Sequence, residues 1–354
     1  MPNPDKTTGR WTYIKLYLLA KLIHKGFLLG KAISQLGENV PSSNLLLPRG
    51  ESLVIPSSKS RRRIHLTIYK NPAAVEAEKS GKPSAAHIHF YGGGWLFPHT
   101  PDQTTPLITT ILSGISTPLT VIDATYALSP QDPCPAELED AHDIYDYVLA
   151  HPDRWNQTQI TLSGASSGGA VALGLAVTLG KESRDAGRQD RHSHPIQAIV
   201  VYYPMTNWVN FRQRNAAFLA SLPVDAPDMM PNFMLDTIQA AHFFSSGGLS
   251  KTEESKRKAE LESRPSVSPA LADERDFPPR VGIWTAQWDV LRGDADELRE
   301  RLKRGEGTAS VSGRMVLGVE HGWDGMVREG QIGWDEKNEA YADLVEAIGW
   351  ARKD

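Results

Sequence analysis

The chain carries a single cysteine, Cys134, among its 354 residues. A lone thiol excludes an intrachain disulfide and leaves no set of cysteines for a zinc finger, so a reducing compartment fits the sequence best. Charge of one sign is equally scarce. Lys and Arg total 38 against 42 Asp and Glu, a formal net charge of -4, which offers no positive field to nucleic acid. Nucleic acid is not an expected partner. A long unbroken hydrophobic run is also missing. The most apolar stretch, Trp11 to Leu36, is interrupted by Lys15, Lys21, Lys25 and Lys31, leaving pieces shorter than the ~20 apolar residues that span a bilayer. Without a clear apolar core and small-residue cleavage site there is no signal peptide to assign either, and a cytoplasmic location is expected.

What is present is a core. Hydrophobic residues make up 40% of the chain, with nine Trp, ten Tyr and nine Phe, enough apolar surface to offset chain entropy and exclude wholesale disorder. The length fits about two domains, or one large α/β domain with insertions. Trp11 to Leu36 reads as an amphipathic to mostly apolar helix. Such a helix packs on the body as part of a lid, or lies on a membrane surface with its lysines toward the headgroups in peripheral contact.

Beyond it, strand-length apolar runs alternate with helical patterns. The strands are expected at Ile64 to Tyr69, His87 to Tyr91, Leu119 to Asp123, Gln159 to Ser163, Ala198 to Tyr203, Val281 to Ala286 and Met315 to Val319. Helices are expected at Ala136 to Leu149, Ser167 to Leu179, Ala295 to Leu302 and Lys337 to Ile348. This alternation predicts an α/β fold with a mostly parallel sheet covered by helices on both faces. Two stretches break it. Lys181 to Pro195 is charged and reads as a solvated loop, and Met205 to Arg264 is an insertion with Phe211, Phe218, Leu219, Met229, Met230, Phe233, Met234, Phe243 and Phe244. That adaptable apolar set suggests an apolar small-molecule substrate.

Gly164-Ala165-Ser166-Ser167-Gly168 lies between a strand and a helix built of Ala, Val and Leu. A serine at the centre of Gly-x-Ser-x-Gly sits on a sharp strand-to-helix turn that needs small neighbours and presents its hydroxyl above the sheet. Ser166 is the candidate nucleophile. A serine needs a base to take its proton and a carboxylate to orient that base, in the chain order Ser, Asp or Glu, His. Asp289 follows one predicted strand and His321 another, both at the carboxyl edge where α/β sheets place their catalytic groups. For Asp289 the alternative is a helix-capping carboxylate; for His321 it is an ordinary surface or core histidine. Asp294 and Asp296 fall inside the following helix and are weaker candidates. Tyr91-Gly92-Gly93-Gly94-Trp95 follows the second predicted strand, and three glycines let backbone N–H groups approach a tetrahedral oxyanion. The donors expected are the N–H groups of Gly93, Gly94 and Ser167. Trp95, Trp288 and Trp323 adjoin these elements and are candidates for lining the substrate pocket, the alternative being that such large aromatics are simply core. His87 and His89 share one face of a strand, but no third ligand has matching spacing, so no metal site is assigned.

Four blocks in order, HFYGGGW, ATYALSPQDPCPAELED, SGASSGGA and SPALADERDFPPRVGIWTAQWDVLRGDADELRERL, resemble the hormone-sensitive-lipase-like branch of the α/β-hydrolases. The resemblance covers Ile64 to the C-terminus. It implies an α/β-hydrolase fold, cleavage of small and medium carboxylic esters without a cofactor, a triad closed by His321, and a lid from the N-terminal helices plus an insertion. The corresponding division is 1–45 as N-terminal helical cap segment, 46–204 and 265–354 as catalytic domain and 205–264 as cap insertion. Three departures stand out. Tyr91 replaces the family His, Ala165 the Asp before the nucleophile and Ala127 the Arg of the second block. They alter support around the site more than the reacting groups, which suits an enzyme specialised for one substrate in a biosynthetic pathway. Cyclisation, condensation or acyl transfer in secondary metabolism is the alternative reaction, and a non-catalytic binding module the alternative class.

Overall fold

The structure, a computed structural model, describes residues 11–25, 49–188, 190, 193–223, 226–227, 230–245, 249–305 and 310–351. All seven predicted strands form: β2 (Arg63–Lys70), β3 (Ser84–Phe90), β4 (Leu119–Ala124), β5 (Trp155–Ala165), β6 (Ala198–Tyr202), β7 (Arg280–Trp288) and β9 (Met315–Glu320). Two more, β1 (Glu51–Pro56) and the three-residue β8 (Ser310–Ser312), complete a sheet of order β1-β2-β4-β3-β5-β6-β7-β8 with β9 beside β7. β1 and β2 run antiparallel to their neighbours, and the pairings from β4 through β9 are parallel.

The two-residue period of a strand divides the core between the faces of the sheet. Ile122 and Ala124 of β4 with Ile199 and Val201 of β6 join one cluster, which includes α4 (Ala136–Leu149), α5 (Ser167–Asp185) and α9 (Arg292–Arg304). Leu119, Val121, Ala198, Val200 and Tyr202 join the other, with α3 (Pro101–Gly114) and α10 (Trp334–Trp350). Helix α2 (Pro72–Lys79) links β2 to β3. The expected loop at Lys181 is helical as far as Asp185. Its charge is that of a solvated helix face, anchored where Arg184 makes hydrogen bonds of 2.7 and 3.0 Å to Asp276.

Register positions the catalytic edge. Phe90 lies opposite Gly164, so the glycine loop and the nucleophile turn leave the sheet side by side. Trp288 pairs with Glu320, so the next residues, Asp289 and His321, also emerge together.

The insertion forms three helices, α6 (Phe211–Ala220), α7 (Asn232–His242) and α8 (Lys251–Glu262). Phe211, Phe243 and Phe244 are buried, Met230, Met234 and Leu219 pack partly against the core, and Phe233 is exposed. Met229 lies outside the described residues, as do 26–36 of the expected N-terminal helix. The described part of that helix, α1 (11–25), buries Leu16 and Ala20, stacks His24 on Phe97 at 5.3 Å and sets Tyr13 5.8 Å from Phe244. It thus touches both the insertion and the segment after the triple glycine. Arg214 of α6 is tied to Asp294 of α9 by two bonds of 2.8 and 2.9 Å, which gives Asp294 a structural role. Among the described residues no helix is long and apolar enough to cross a membrane.

Candidate active site

Ser166 has φ 52° and ψ -120°, a conformation disfavoured for a residue with a Cβ that costs about 1–3 kcal/mol. Its surroundings hold it there. The Ser166 N–H donates to the Tyr202 carbonyl at 2.9 Å. A Cβ on Gly164 would lie 2.4 Å from the Gly168 carbonyl oxygen, and one on Gly168 only 2.1 Å from that of Phe90. The glycines of the motif are therefore set by close backbone approach on both sides of the turn.

His321 Nε2 lies 2.9 Å from Ser166 Oγ, and its Nδ1 lies 2.8 Å from Asp289 Oδ2. Asp289 is buried, and its other oxygen accepts the Leu291 N–H at 2.9 Å. The capping role weighed as the alternative for Asp289 is not taken up: the N-cap of α9 is Leu291, without a side-chain cap bond, and the oxygen that His321 leaves free closes a turn just ahead of that helix. Burial by itself would lower the His321 pKa, but the charge and hydrogen bond of Asp289, with the charge of Asp324, outweigh it and raise the pKa above 6.5.

Asp324 went unnoticed in the sequence. It is buried and accepts hydrogen bonds from Tyr341, at 2.9 Å, and from Tyr203, whose ring meets His321 edge-on at 4.7 Å. Nothing in its spacing separates it from other aspartates, since both tyrosines come from distant elements. Its charge has a kinetic consequence. A histidine that accepts a proton must be neutral, so activity falls as pH drops through its pKa, and the acid limb of kcat/KM should lie above 6.5. Asp324→Asn removes a charge that favours the protonated ring, so the limb should move to lower pH. An unmoved limb in a pH-rate profile would remove Asp324 from this account.

Of the three residues expected to supply oxyanion donors, Gly93 and Ser167 are brought into direct contact. Gly94 has φ 58°, and a Cβ there would meet Ile238 of α7 at 3.1 Å, so the insertion packs directly on the loop. Gly93 is equally confined, its would-be Cβ 2.8 Å from the Phe97 carbonyl oxygen. The Gly93 N–H, however, donates to the Ser167 hydroxyl at 3.0 Å. The sequence reading assigned Ser167 a backbone role and missed its side chain. Tyr91, at the position of the family His, donates to the Phe97 carbonyl at 3.1 Å and stacks on Tyr126 at 4.8 Å, closing the glycine loop from beneath.

Two of the three tryptophans expected to line a pocket are core residues. Trp323 is 1% exposed among Tyr203, Trp284 and Val316, and Trp95 is 4% exposed against Trp208 and His242. Both rings are packed inside the protein, each with its indole N–H buried and without a hydrogen-bond partner among the described residues. Trp288, at the end of β7, is half-buried.

His87 and His89 are committed inside the sheet, with bonds of 2.8–2.9 Å to Thr161 and Ser163. Burial pushes them down to about 3 and about 4, so both are neutral. Cys134, Glu137 and His242 are the group of metal-ligand type that converges among the described residues, with one ligand atom of each within 4.8 Å of the others. Burial pushes Glu137 up to about 7, His242 down to about 3 and the Cys134 thiol up. The trio can thus be carried close to neutrality where α4 begins and α7 ends.

The family described as alpha/beta hydrolase fold matches residues 87–324, more than half of the chain, a span that includes Gly93, Ser166, Asp289 and His321. The chain belongs to that family. This α/β-hydrolase is 23% identical over 277 residues to an esterase of Acinetobacter venetianus, covering 77% of this chain and 76% of that protein. Among solved structures it resembles an esterase of Pyrobaculum calidifontis, with TM-score 0.63, 20% identity and coverage of 93% and 92%. It also resembles Vibralactone Cyclase, with TM-score 0.60, 18% identity and coverage of 87% and 83%. At such identities the structural likeness establishes the fold of this α/β-hydrolase.

Proposed function

We propose that this α/β-hydrolase cleaves a carboxylic ester of an apolar small molecule through an acyl-enzyme on Ser166. Ser166 Oγ attacks the carbonyl carbon as His321 Nε2 takes its proton. His321 then protonates the leaving alcohol while Asp289 holds the ring and stabilises its charge. Backbone N–H groups of Gly94 and Ser167 are assigned to the tetrahedral oxyanion, and that of Gly93 joins them once it leaves the Ser167 hydroxyl. Water activated by His321 releases the acid. The observation that carries this reading is the unbroken hydrogen-bonded line from Asp289 through His321 to Ser166 at the strained turn. Fluorophosphonate labelling followed by peptide mass mapping tests it, with the adduct expected on Ser166. An adduct on another serine, or none, overturns it.

The lid division follows from the same site. Helices α1 and α7 supply the apolar cover, with Ile238 against Gly94 and His24 against Phe97, and are assigned the choice of substrate. A cover of this kind restricts water, which supports intramolecular acyl transfer as a second reading, with a lactone rather than a free acid as product. Turnover in 18O-labelled water separates the two, because only hydrolysis places the label in the product carboxylate.

Peripheral membrane contact is assigned to the outer stripe of α1. Trp11, Leu18 and Leu22 are exposed by 70%, 59% and 66%, and Lys15, Lys21 and Lys25 are exposed with them. A lysine at an anionic leaflet contributes about 1 kcal/mol, so flotation with phosphatidylserine vesicles is expected. It should be lost in Trp11→Ser with Leu18→Ser. Flotation unaffected by those changes would place the contact elsewhere.

A further inference from the structure

Ser167 is 1% exposed and sits directly after the nucleophile, with two polar groups on its hydroxyl, the Gly93 N–H and the Tyr126 hydroxyl. Proton counting fixes their directions. Tyr126 has one O–H, and the Tyr91 carbonyl 2.9 Å away can only accept, so Tyr126 donates there. The contact of 3.0 Å between Tyr126 Oη and Ser167 Oγ must then use the serine proton, with the tyrosine oxygen accepting. That leaves the Ser167 lone pairs facing inward, and they accept the Gly93 N–H at 3.0 Å. The chain of donors runs from Gly93 to Ser167 to Tyr126 to Tyr91 and satisfies every member. It also closes the glycine loop against the nucleophile turn, where a Cβ on Gly92 would lie 3.3 Å from Ser166 Cβ.

We propose that the Ser167 hydroxyl is a positioning residue that withholds the Gly93 N–H from the oxyanion and thereby selects against simple esters. The proposal rests on the ester-cleaving reading of the site. An oxyanion donor acts by being pre-aimed and free when charge develops on the carbonyl oxygen. In this chain one of the three N–H groups must first leave a hydroxyl that is itself pinned by Tyr126. A short ester carries little besides its reacting carbonyl and has no remote contacts with which to drive that exchange. A substrate with a large apolar body can use its binding against the cover to shift the loop, and its acceleration then includes the third donor. Ile238 against Gly94 and His24 against Phe97 are the points where such a body would press on the loop. The substrate class selected is therefore a bulky apolar ester over a short one.

The test is the kinetics of Ser167→Ala on p-nitrophenyl acetate, with fluorophosphonate labelling run in parallel. Losing one oxyanion donor costs about 10²–10³ in kcat in a hydrolase that relies on it. Freeing one is expected to raise kcat by at least about tenfold, with KM little changed, and to speed labelling of Ser166. Tyr126→Phe, which leaves Ser167 in place but removes the partner of its proton, is expected to give a smaller rise. A hydroxyl that merely held the loop would give the opposite, a loss of kcat in both variants. Unchanged or lower turnover in Ser167→Ala with Ser166 still labelled overturns the proposal and leaves the ester reading standing. Absence of labelling in the parent protein and the variant overturns both.

Discussion

Ser166→Ala is expected to lower kcat on a carboxylic ester by about 10⁵–10⁶-fold, on the order of 7–8 kcal/mol of transition-state stabilisation. The size follows from what one oxygen does. It forms and breaks the acyl bond, and His321 Nε2, 2.9 Å away, has no other proton to take. Alanine can occupy the turn as serine does, because the backbone is held by the Tyr202 carbonyl and by the close approach around Gly164 and Gly168. The melting temperature should therefore change little while activity is lost. The loss should also be non-additive. His321→Ala alone is expected to cost about as much, and the double variant hardly more, because neither group has a task without the other. Residual turnover should still exceed the uncatalysed rate by about 10³–10⁴, the part that backbone donors and binding supply. Steady-state rates of the two single variants and the double variant check this, and independent, additive losses would mean that the residues do not act as a unit.

The alignment of Asp289, His321 and Ser166 was legible in the sequence because it depends on short-range grammar. Ser166, Asp289 and His321 each follow an apolar strand, and parallel register does the rest by pairing Trp288 with Glu320 and Phe90 with Gly164. Elements read less well where local pattern and tertiary outcome diverge. β1 is an edge strand, largely exposed or half-buried, and β8 has three residues, so neither shows the apolar run that marks the inner strands. α3 carries Pro106 and six β-branched threonine and isoleucine residues in its middle, which mask a helical period. Contacts between side chains distant in sequence were not legible at all. Ser167 and Gly93 are separated by 74 positions, and Tyr203 reaches Asp324 across 121. Trp95 and Trp323 show why core and pocket stay open for an aromatic read from sequence, since proximity to a motif says where a ring begins and not which way it packs.

Gly168→Ala is expected to lower turnover by about 10²-fold or more, and to do so through the fold rather than through a reacting group. Its Cβ would lie 2.1 Å from the Phe90 carbonyl oxygen and 2.2 Å from that of Tyr91, both backbone atoms at the end of β3 that have no side-chain freedom with which to yield. Either α5 retreats at its first turn or the glycine loop does. Retreat of the helix carries Ser166 away from His321, and retreat of the loop breaks the Tyr126 bond to the Tyr91 carbonyl. Overpacking of this kind costs about 1–3 kcal/mol or more, and a shift of 1 Å in a reacting group can cost about 10² in rate, so activity should fall further than stability. Gly293 provides the control. It lies in the first turn of α9, with nothing within 4 Å of a would-be Cβ and no positive φ. Gly293→Ala should therefore be neutral or stabilise by up to about 1 kcal/mol through helix propensity. Thermal unfolding and ester turnover measured on both variants separate a steric requirement at the nucleophile turn from a general intolerance of added methyl groups. If Gly168→Ala melts and turns over like the parent, the packing of β3 against the nucleophile turn is not what holds Ser166 in line.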